Sequence, residues 1–180
     1  MRIGLISDTH GNLPRQVLSL FEGCDMIIHA GDIGKPLIID ELELVAPVRA
    51  VLGNNDWSSE FPDLDYSWRG QLDGLSVYLT HTPQDAMRYL QGCTGSGTDV
   101  GRGVRVGDGA PSLPQICIHG HTHVPRYELV NGVRLINPGA VSRPRGGSKK
   151  SVAIMEIEGA AIVGVSFIDS DQWLSASAYF

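Results

Sequence analysis

Short apolar runs alternate with amphipathic stretches over the first third of the chain. Arg2 to Ser7 is rich in Ile and Leu and leads into Ser7-Asp8-Thr9-His10-Gly11-Asn12, which reads as a buried strand opening into a polar loop. Behind Pro14, which suits a first helical turn, Leu13, Val17, Leu18 and Phe21 recur at helical spacing, and Gly23 supplies a stop. Asp25 to Ala30 predicts a second strand, followed by Gly31-Asp32. Pro36 to Val45 predicts a second helix, with Leu37, Ile38, Leu42 and Val45 as its apolar face. Val48 to Leu52 predicts a third strand that ends at Gly53-Asn54-Asn55-Asp56. Further on, the pattern predicts a strand over Leu75 to Thr80, a helix over Pro83 to Gln91 and a short strand over Ile116 to Ile118. Asn131-Gly132, between Arg126–Val130 and Val133–Ile136, is the strongest short hairpin signal. The alternating runs Ser151 to Ile157 and Ala161 to Ile168 are expected to extend an antiparallel sheet.

Strand, helix, strand, helix, strand is the signature of an α/β fold, in which sites gather at the carboxyl ends of the strands. Gly92 to Pro114 breaks the pattern: it holds seven glycines without periodicity and is expected to be a mobile surface insertion, with a substrate lid carrying Arg102 and Arg105 as the alternative. Arg143 to Lys150 is a second, basic loop, read first as a solvated face and second as a contact for substrate phosphate through Arg145. Trp57, Phe61, Tyr66 and Trp68 read as packing rather than as a contact patch.

A length of 180 residues favours one domain over 1–180, and 42% apolar with 19% charged residues is the composition of a globular chain. No apolar run reaches the roughly 18 residues that would span a membrane, and the amino terminus lacks the features of a signal peptide, so a cytoplasmic protein is expected. Cys24, Cys93 and Cys117 form no C-x-x-C, which disfavours both a disulfide framework and a thiolate zinc site. Lys plus Arg number 14 against 20 Asp plus Glu, a net charge of −6. That balance argues against a nucleic-acid track, which needs many phosphate contacts, but not against a small anionic substrate held at one cationic point.

The candidate chemistry lies where the predicted strands end. Asp8 and His10 are two residues apart and can reach one ion from an extended segment. Asp32 follows the second strand, Asn54 the third and His81 a later one, and His121 and His123 repeat the spacing of two. Any one of these alone reads best as a satisfied buried polar residue. Together, seven N and O donors on five strand ends point to a metal centre of imidazole, carboxylate and amide, suited to Mn, Fe, Zn, Co or Ni. His29 and His119 read as packing or bracing residues behind it.

Asp8-Thr9-His10, Gly31-Asp32, Gly53-Asn54-Asn55-Asp56, His81, Gly120-His121-Thr122-His123 and Asn137-Pro138-Gly139 occur in an order and spacing that resemble the calcineurin-like metallophosphoesterases, in particular their small single-domain phosphodiesterase branch. The resemblance implies two mixed β-sheets packed as a sandwich with helices on the outer faces. It implies two divalent ions, manganese favoured: Asp8, His10, Asp32 and His123 would hold one, and Asp32, Asn54, His81 and His121 the other, with Asp32 bridging. Two such ions against two carboxylates and a shared hydroxide leave about +1, which attracts a phosphate to an acidic protein. The implied activity is phosphodiester hydrolysis, with phosphomonoester hydrolysis as an alternative. Many relatives carry a His where Asn55 stands, and an amide cannot deliver a proton to a leaving group. Asn55 therefore implies a preference for activated leaving groups. Asp56 is expected to orient its neighbours, Asn12 to face substrate or to bond its own turn, and Thr82-Pro83 and Ala140 depart from the common pattern. The same fold also serves as a protein-interaction scaffold in the retromer subunit, the reading to set against an enzyme. Oligomeric state is not legible here.

Overall fold

Strand β1 (Arg2–Ile6) sends alternate residues into two apolar layers: Ile3 and Leu5 face one, while Ile6 and Gly4 face the other. Gly4 is needed there because a Cβ would stand 2.7 Å from the Phe21 ring. The protein, described by a computed structural model over residues 1–94 and 112–176, repeats this logic in two five-stranded mixed sheets. One sheet combines β1 with β2 (Met26–His29), β3 (Val48–Ala50), β9 (Ser151–Glu158) and β10 (Ala161–Asp169) in the order β10-β9-β1-β2-β3. The second combines β4 (Ser67–Leu72), β5 (Leu75–Thr80), β6 (Ile116–Ile118), β7 (Arg126–Val130) and β8 (Val133–Asn137) in the order β4-β5-β6-β8-β7.

Between the sheets, Ile3, Leu5, Ile28 and Met155 meet Val77, Leu79, Ile118 and Ile136. On the far face of the first sheet, α1 (Arg15–Leu20), α2 (Leu37–Glu43) and α4 (Ser170–Ala176) contribute Val17, Ile38, Leu42 and Trp173 to a second layer that also holds Ile6 and Ile27. On the far face of the second sheet, α3 (Pro83–Thr94) packs Ala86, Tyr89 and Leu90 on Tyr78, Cys117 and Leu135. This is the sandwich with outer helices that the family resemblance implies. β1, β2 and β3 run parallel, as do β5, β6 and β8, so each sheet delivers three carboxyl ends to one edge.

Several expectations need correcting. β4 and α4 were not anticipated, while β9 and β10 pair antiparallel as expected, with β1 as the neighbour that the local pattern does not name. Leu37 is 59% exposed and so does not belong to the apolar face of α2. Gly92 and Cys93 continue helix α3, and the glycine-rich insertion otherwise falls largely outside the described residues, Arg102 and Arg105 included. Of the four aromatic residues near β4, Phe61 is buried and Trp68 packs at the edge of the inter-sheet layer, whereas Trp57 and Tyr66 are exposed.

Candidate metal centre

All seven candidate ligands sit just past strand ends: Asp8 and His10 after β1, Asp32 after β2, Asn54 after β3, His81 after β5, His121 and His123 after β6. Five of them, Asp8, His10, Asp32, His121 and His123, adopt left-handed backbone with φ of 55°, 47°, 55°, 69° and 60°. Such positions cost a non-glycine residue roughly 1–3 kcal/mol and concentrate at functional sites. Main-chain bonds hold the turns in place: Asp8 N–H donates to Gly31 O (3.0 Å), His10 N–H to Asp32 O (2.9 Å) and Gly120 N–H to His81 O (2.9 Å). Gly53 and Gly120 serve close approach rather than tight turning. A Cβ at Gly53 would overlap Asp32, and one at Gly120 would overlap Ser7 Oγ.

The donor atoms converge. Those of Asp8, His10, Asp32 and His123 all lie within 4.8 Å of one another. His123 Nε2 is 3.1 Å from Asp8 Oδ1 and 3.3 Å from His10 Nε2. Asp32 Oδ2 stands 3.8 Å from His10 Nε2 on one side and 3.4 Å from His81 Nε2 on the other. Beyond His81, His121 Nδ1 meets Asn54 Oδ1 at 2.8 Å. His81 and His123 each point Nδ1 at a carbonyl, Ala30 O (2.7 Å) and Arg143 O (2.6 Å), which fixes the tautomer that leaves Nε2 as the ligand atom.

The arrangement suits a cation. Asp8 Oδ2 accepts bonds from Ser7 Oγ (2.7 Å) and His121 N–H (3.1 Å), but the buried Asp8 Oδ1 has no hydrogen-bond partner, and neither does buried His81 Nε2. Orphaned buried polar atoms are expensive, and an ion at each would satisfy them. Burial pushes the Asp8 carboxyl above its usual range, against the pull of His81, Ser7 and His123. Burial acts in the same direction on Asp32, but there His81 and the two hydrogen bonds from Asn55 prevail and hold the carboxyl well below its usual range. Burial tends to lower His81, yet Asp32 and Asp8 raise it, so positive charge is favoured at Nε2. For His10 and His121, burial prevails and lowers both. The residues therefore fit divalent ions that prefer nitrogen and oxygen ligands.

Asn55 N–H donates to Asp32 Oδ1 (2.9 Å) and its Nδ2 to Asp32 Oδ2 (2.6 Å), so the amide is spent on the central carboxylate. Asp56 is buried, its carboxylate accepting from Ile33 N–H (3.0 Å), Gly34 N–H (2.8 Å) and Gly53 N–H (2.8 Å), which ties the turn carrying Asp32 to the turn carrying Asn54. His29 Nε2 lies 3.0 Å from Thr9 Oγ1, between the two ligands of the first turn. A cleft of about 190 Å³ is lined by His10, Asp32, Asn54, Asn55, His121, His123, Arg143 and Arg145. Arg145 is thus brought to the site. Asn12 is exposed, outside that lining, and donates its N–H to Thr9 O (3.0 Å). Sequence reading did not single out Arg143 or the bond from Ser7 to Asp8; the basic loop was the available signal for the first.

Residues 1–160 match the family model described as the calcineurin-like phosphoesterase superfamily domain. A probable metallophosphoesterase of Methanothermobacter thermautotrophicus is 32% identical over 172 residues, covering 88% of this chain and 87% of its own. A phosphodiesterase of Methanocaldococcus jannaschii is 31% identical over 155 residues, covering 77% and 83%. Among solved structures, an archaeal phosphodiesterase superposes with a TM-score of 0.68 at 25% identity, over 93% of this chain and 100% of that one. Vps29 of Entamoeba histolytica, in complex with zinc, gives 0.67 at 16% identity over 94% and 99%, a likeness of fold alone. With the fold, the ligand positions and the matched length in agreement, the chain belongs to the calcineurin-like phosphoesterase superfamily.

Proposed function

We propose that the protein is a phosphodiesterase dependent on two divalent ions, manganese favoured, one held by Asp8, His10, Asp32 and His123 and the other by Asp32, Asn54, His81 and His121. The observation that carries this reading is the place of Asp32 Oδ2 between His10 and His81, at 3.8 and 3.4 Å, with orphaned ligand atoms on Asp8 and His81. When bound, such ions supply Lewis acidity toward phosphoryl oxygens and bring the pKa of water near neutral. The chain does the rest. Asn55 fixes both oxygens of Asp32, Asp56 fixes the two turns behind it, and the carbonyls of Ala30 and Arg143 hold His81 and His123 in the ligating tautomer. Its cysteines are free thiols, which supports work in the cytoplasm.

Protonation of the leaving group sets the preference among substrates. Asn55 carries no transferable proton, and its amide is bonded to Asp32. Aryl diesters should therefore react faster than alkyl diesters. Metal-reconstituted protein assayed against phosphomonoesters, phosphodiesters and cyclic nucleotides tests the reaction, with Asp32→Ala as control. No metal-dependent hydrolysis anywhere in the panel would leave the scaffold reading in place of the enzyme. Rates over leaving groups of increasing pKa test the role of Asn55, and a flat dependence with chemistry rate-limiting would sink it.

A further inference from the structure

Arg143 and Arg145 lie on the loop between β8 and β9, and that loop is fastened to the candidate metal centre. Val141 N–H donates to Ser7 O (3.2 Å), Ser142 N–H to Asp8 O (3.1 Å) and Arg145 N–H to His123 O (3.2 Å), while His123 Nδ1–H donates to Arg143 O (2.6 Å). The main chain at both arginines is therefore in register with two proposed ligands. We infer that Arg143 and Arg145 form a cationic subsite beside the metal centre, which takes a second, non-scissile anionic group of the substrate, a phosphate or a carboxylate. This inference rests on the phosphodiesterase reading above.

Three observations support it. Both arginines are exposed and line the cleft. Several other surface cations are engaged, Arg88 by Asp85, Arg126 by Glu128, Lys149 by Asp171, and Arg49 and Arg69 by the rings of Trp68 and Tyr89, and none of these lines the cleft. Among the described residues, no carboxylate pairs with Arg143 or Arg145 within 4.0 Å.

Both side chains share the cleft lining with His10, Asp32, Asn54, His121 and His123. Arg143 has a φ of 56°, where glycine would be free of strain, yet a long cationic side chain stands there.

Charge matching decides which anion they serve. Two divalent ions, the carboxylates of Asp8 and Asp32 and one hydroxide sum to about +1, which a monoanionic diester already cancels. The arginines add two further positive charges that the scissile group leaves unmatched. A substrate bearing another anionic group fills that deficit, and a guanidinium fork suits phosphate and carboxylate alike.

Calorimetric binding to the metal-reconstituted protein tests the subsite without turnover, with ethylphosphonate and 3-phosphonopropionate as probes that share a phosphonate head and differ by one remote carboxylate. The wild type should bind the second at least about tenfold more tightly, as one charge-assisted pair supplies. That ratio should collapse toward one in the double variant Arg143→Gln, Arg145→Gln, with Arg145→Gln alone between. A methylenediphosphonate arm distinguishes a phosphate from a carboxylate preference. Equal affinity of the wild type for the first two probes, or a ratio that survives in a folded double variant, would overturn the subsite. Hydrolysis of an aryl diester by the same sample separates the two readings. Selectivity between probes without hydrolysis would sink the reaction and retain the subsite, while hydrolysis without selectivity would do the reverse.

Discussion

The two halves of the proposed metal centre would share Asp32 but are built differently. One half offers two carboxylates and two imidazoles whose donor atoms lie within 4.8 Å, and Asp8, Asp32 and His123 there are all buried. The other offers one shared carboxylate, a neutral amide and two imidazoles, with Asn54 exposed and His121 partly so. Asn54 and His121 also bond each other at 2.8 Å, a bond that ligation must replace. Charge and burial therefore favour the first half for a tightly held ion and the second for an exchangeable one. The buried Asp8 Oδ1 accepts no hydrogen bond and has His123 Nε2 at 3.1 Å as its neighbour, whereas Asn54 Oδ1 already meets His121 Nδ1.

The largest effect should come from the shared residue. Asp32→Asn removes the only ligand common to both halves, and metal content after reconstitution should fall from two ions to none, with hydrolysis lost by well over about 100-fold. An Asp32→Asn protein that keeps one tight ion would break the comparison, since the halves would then not depend on a common bridge. Next come the halves separately. Asp8→Asn should cost the tight ion, while Asn54→Ala should leave one ion in place and weaken the other by roughly 10–100-fold in a metal titration. The reverse order of loss would show that charge and burial do not rank these sites.

Asp56 sharpens the comparison differently, because it is not among the proposed ligands and supports both turns. Asp56→Ala leaves the N–H groups of Ile33, Gly34 and Gly53 without their acceptor. Unsatisfied buried donors to a lost carboxylate should cost about 3 kcal/mol, a fall of about 6–12 °C in Tm. Both metal affinities should drop together. A drop confined to one half would mean that Asp56 serves that ion rather than the shared frame.

The architecture was legible where each strand carries its own signal. Val77, Tyr78 and Leu79 alternate between inter-sheet and helix-facing layers, so β5 could be read with the correct ends, and the ligands followed because each directly succeeds such a run. β4 was not legible: Ser67-Trp68-Arg69-Gly70-Gln71-Leu72 is a half-exposed edge strand with few apolar positions and a glycine in its middle. Sheet membership was hidden as well, because the pairing of Gly4 with Ile154 is a contact across the whole chain that no local alternation reports. At the site, residue types and strand ends were readable, but the left-handed backbone at Asp8, His10 and Asp32 was not, since that conformation is usually left to glycine. Nor could local pattern show that Asn55 turns its amide onto Asp32, a bond that depends on two turns meeting.

The smallest expected effect lies one layer behind the ligands and extends the contrast between the halves. His29 stands behind Thr9 in the turn of Asp8 and His10, and His119 sits in the turn that leads to His121, with Nδ1 3.1 Å from Gly120 O. Burial lowers both, His29 from 6.5 to about 3 and His119 from 6.5 to about 4, so each stays neutral in the folded protein where the unfolded chain would take up a proton. The unfolded state then binds more protons, and stability must fall as pH drops below 6.5. The His119 contribution is fully lost near pH 4, while that of His29 continues to decline toward pH 3. Between pH 7 and pH 6 the two together should remove ~1 kcal/mol from the metal-free protein. Melting curves of His29→Gln and His119→Gln across that range measure each share as the slope that disappears. If neither substitution flattens the acid limb, these histidines are not held neutral by the fold, and the braces behind the two halves are not what makes the metal-free protein acid-sensitive.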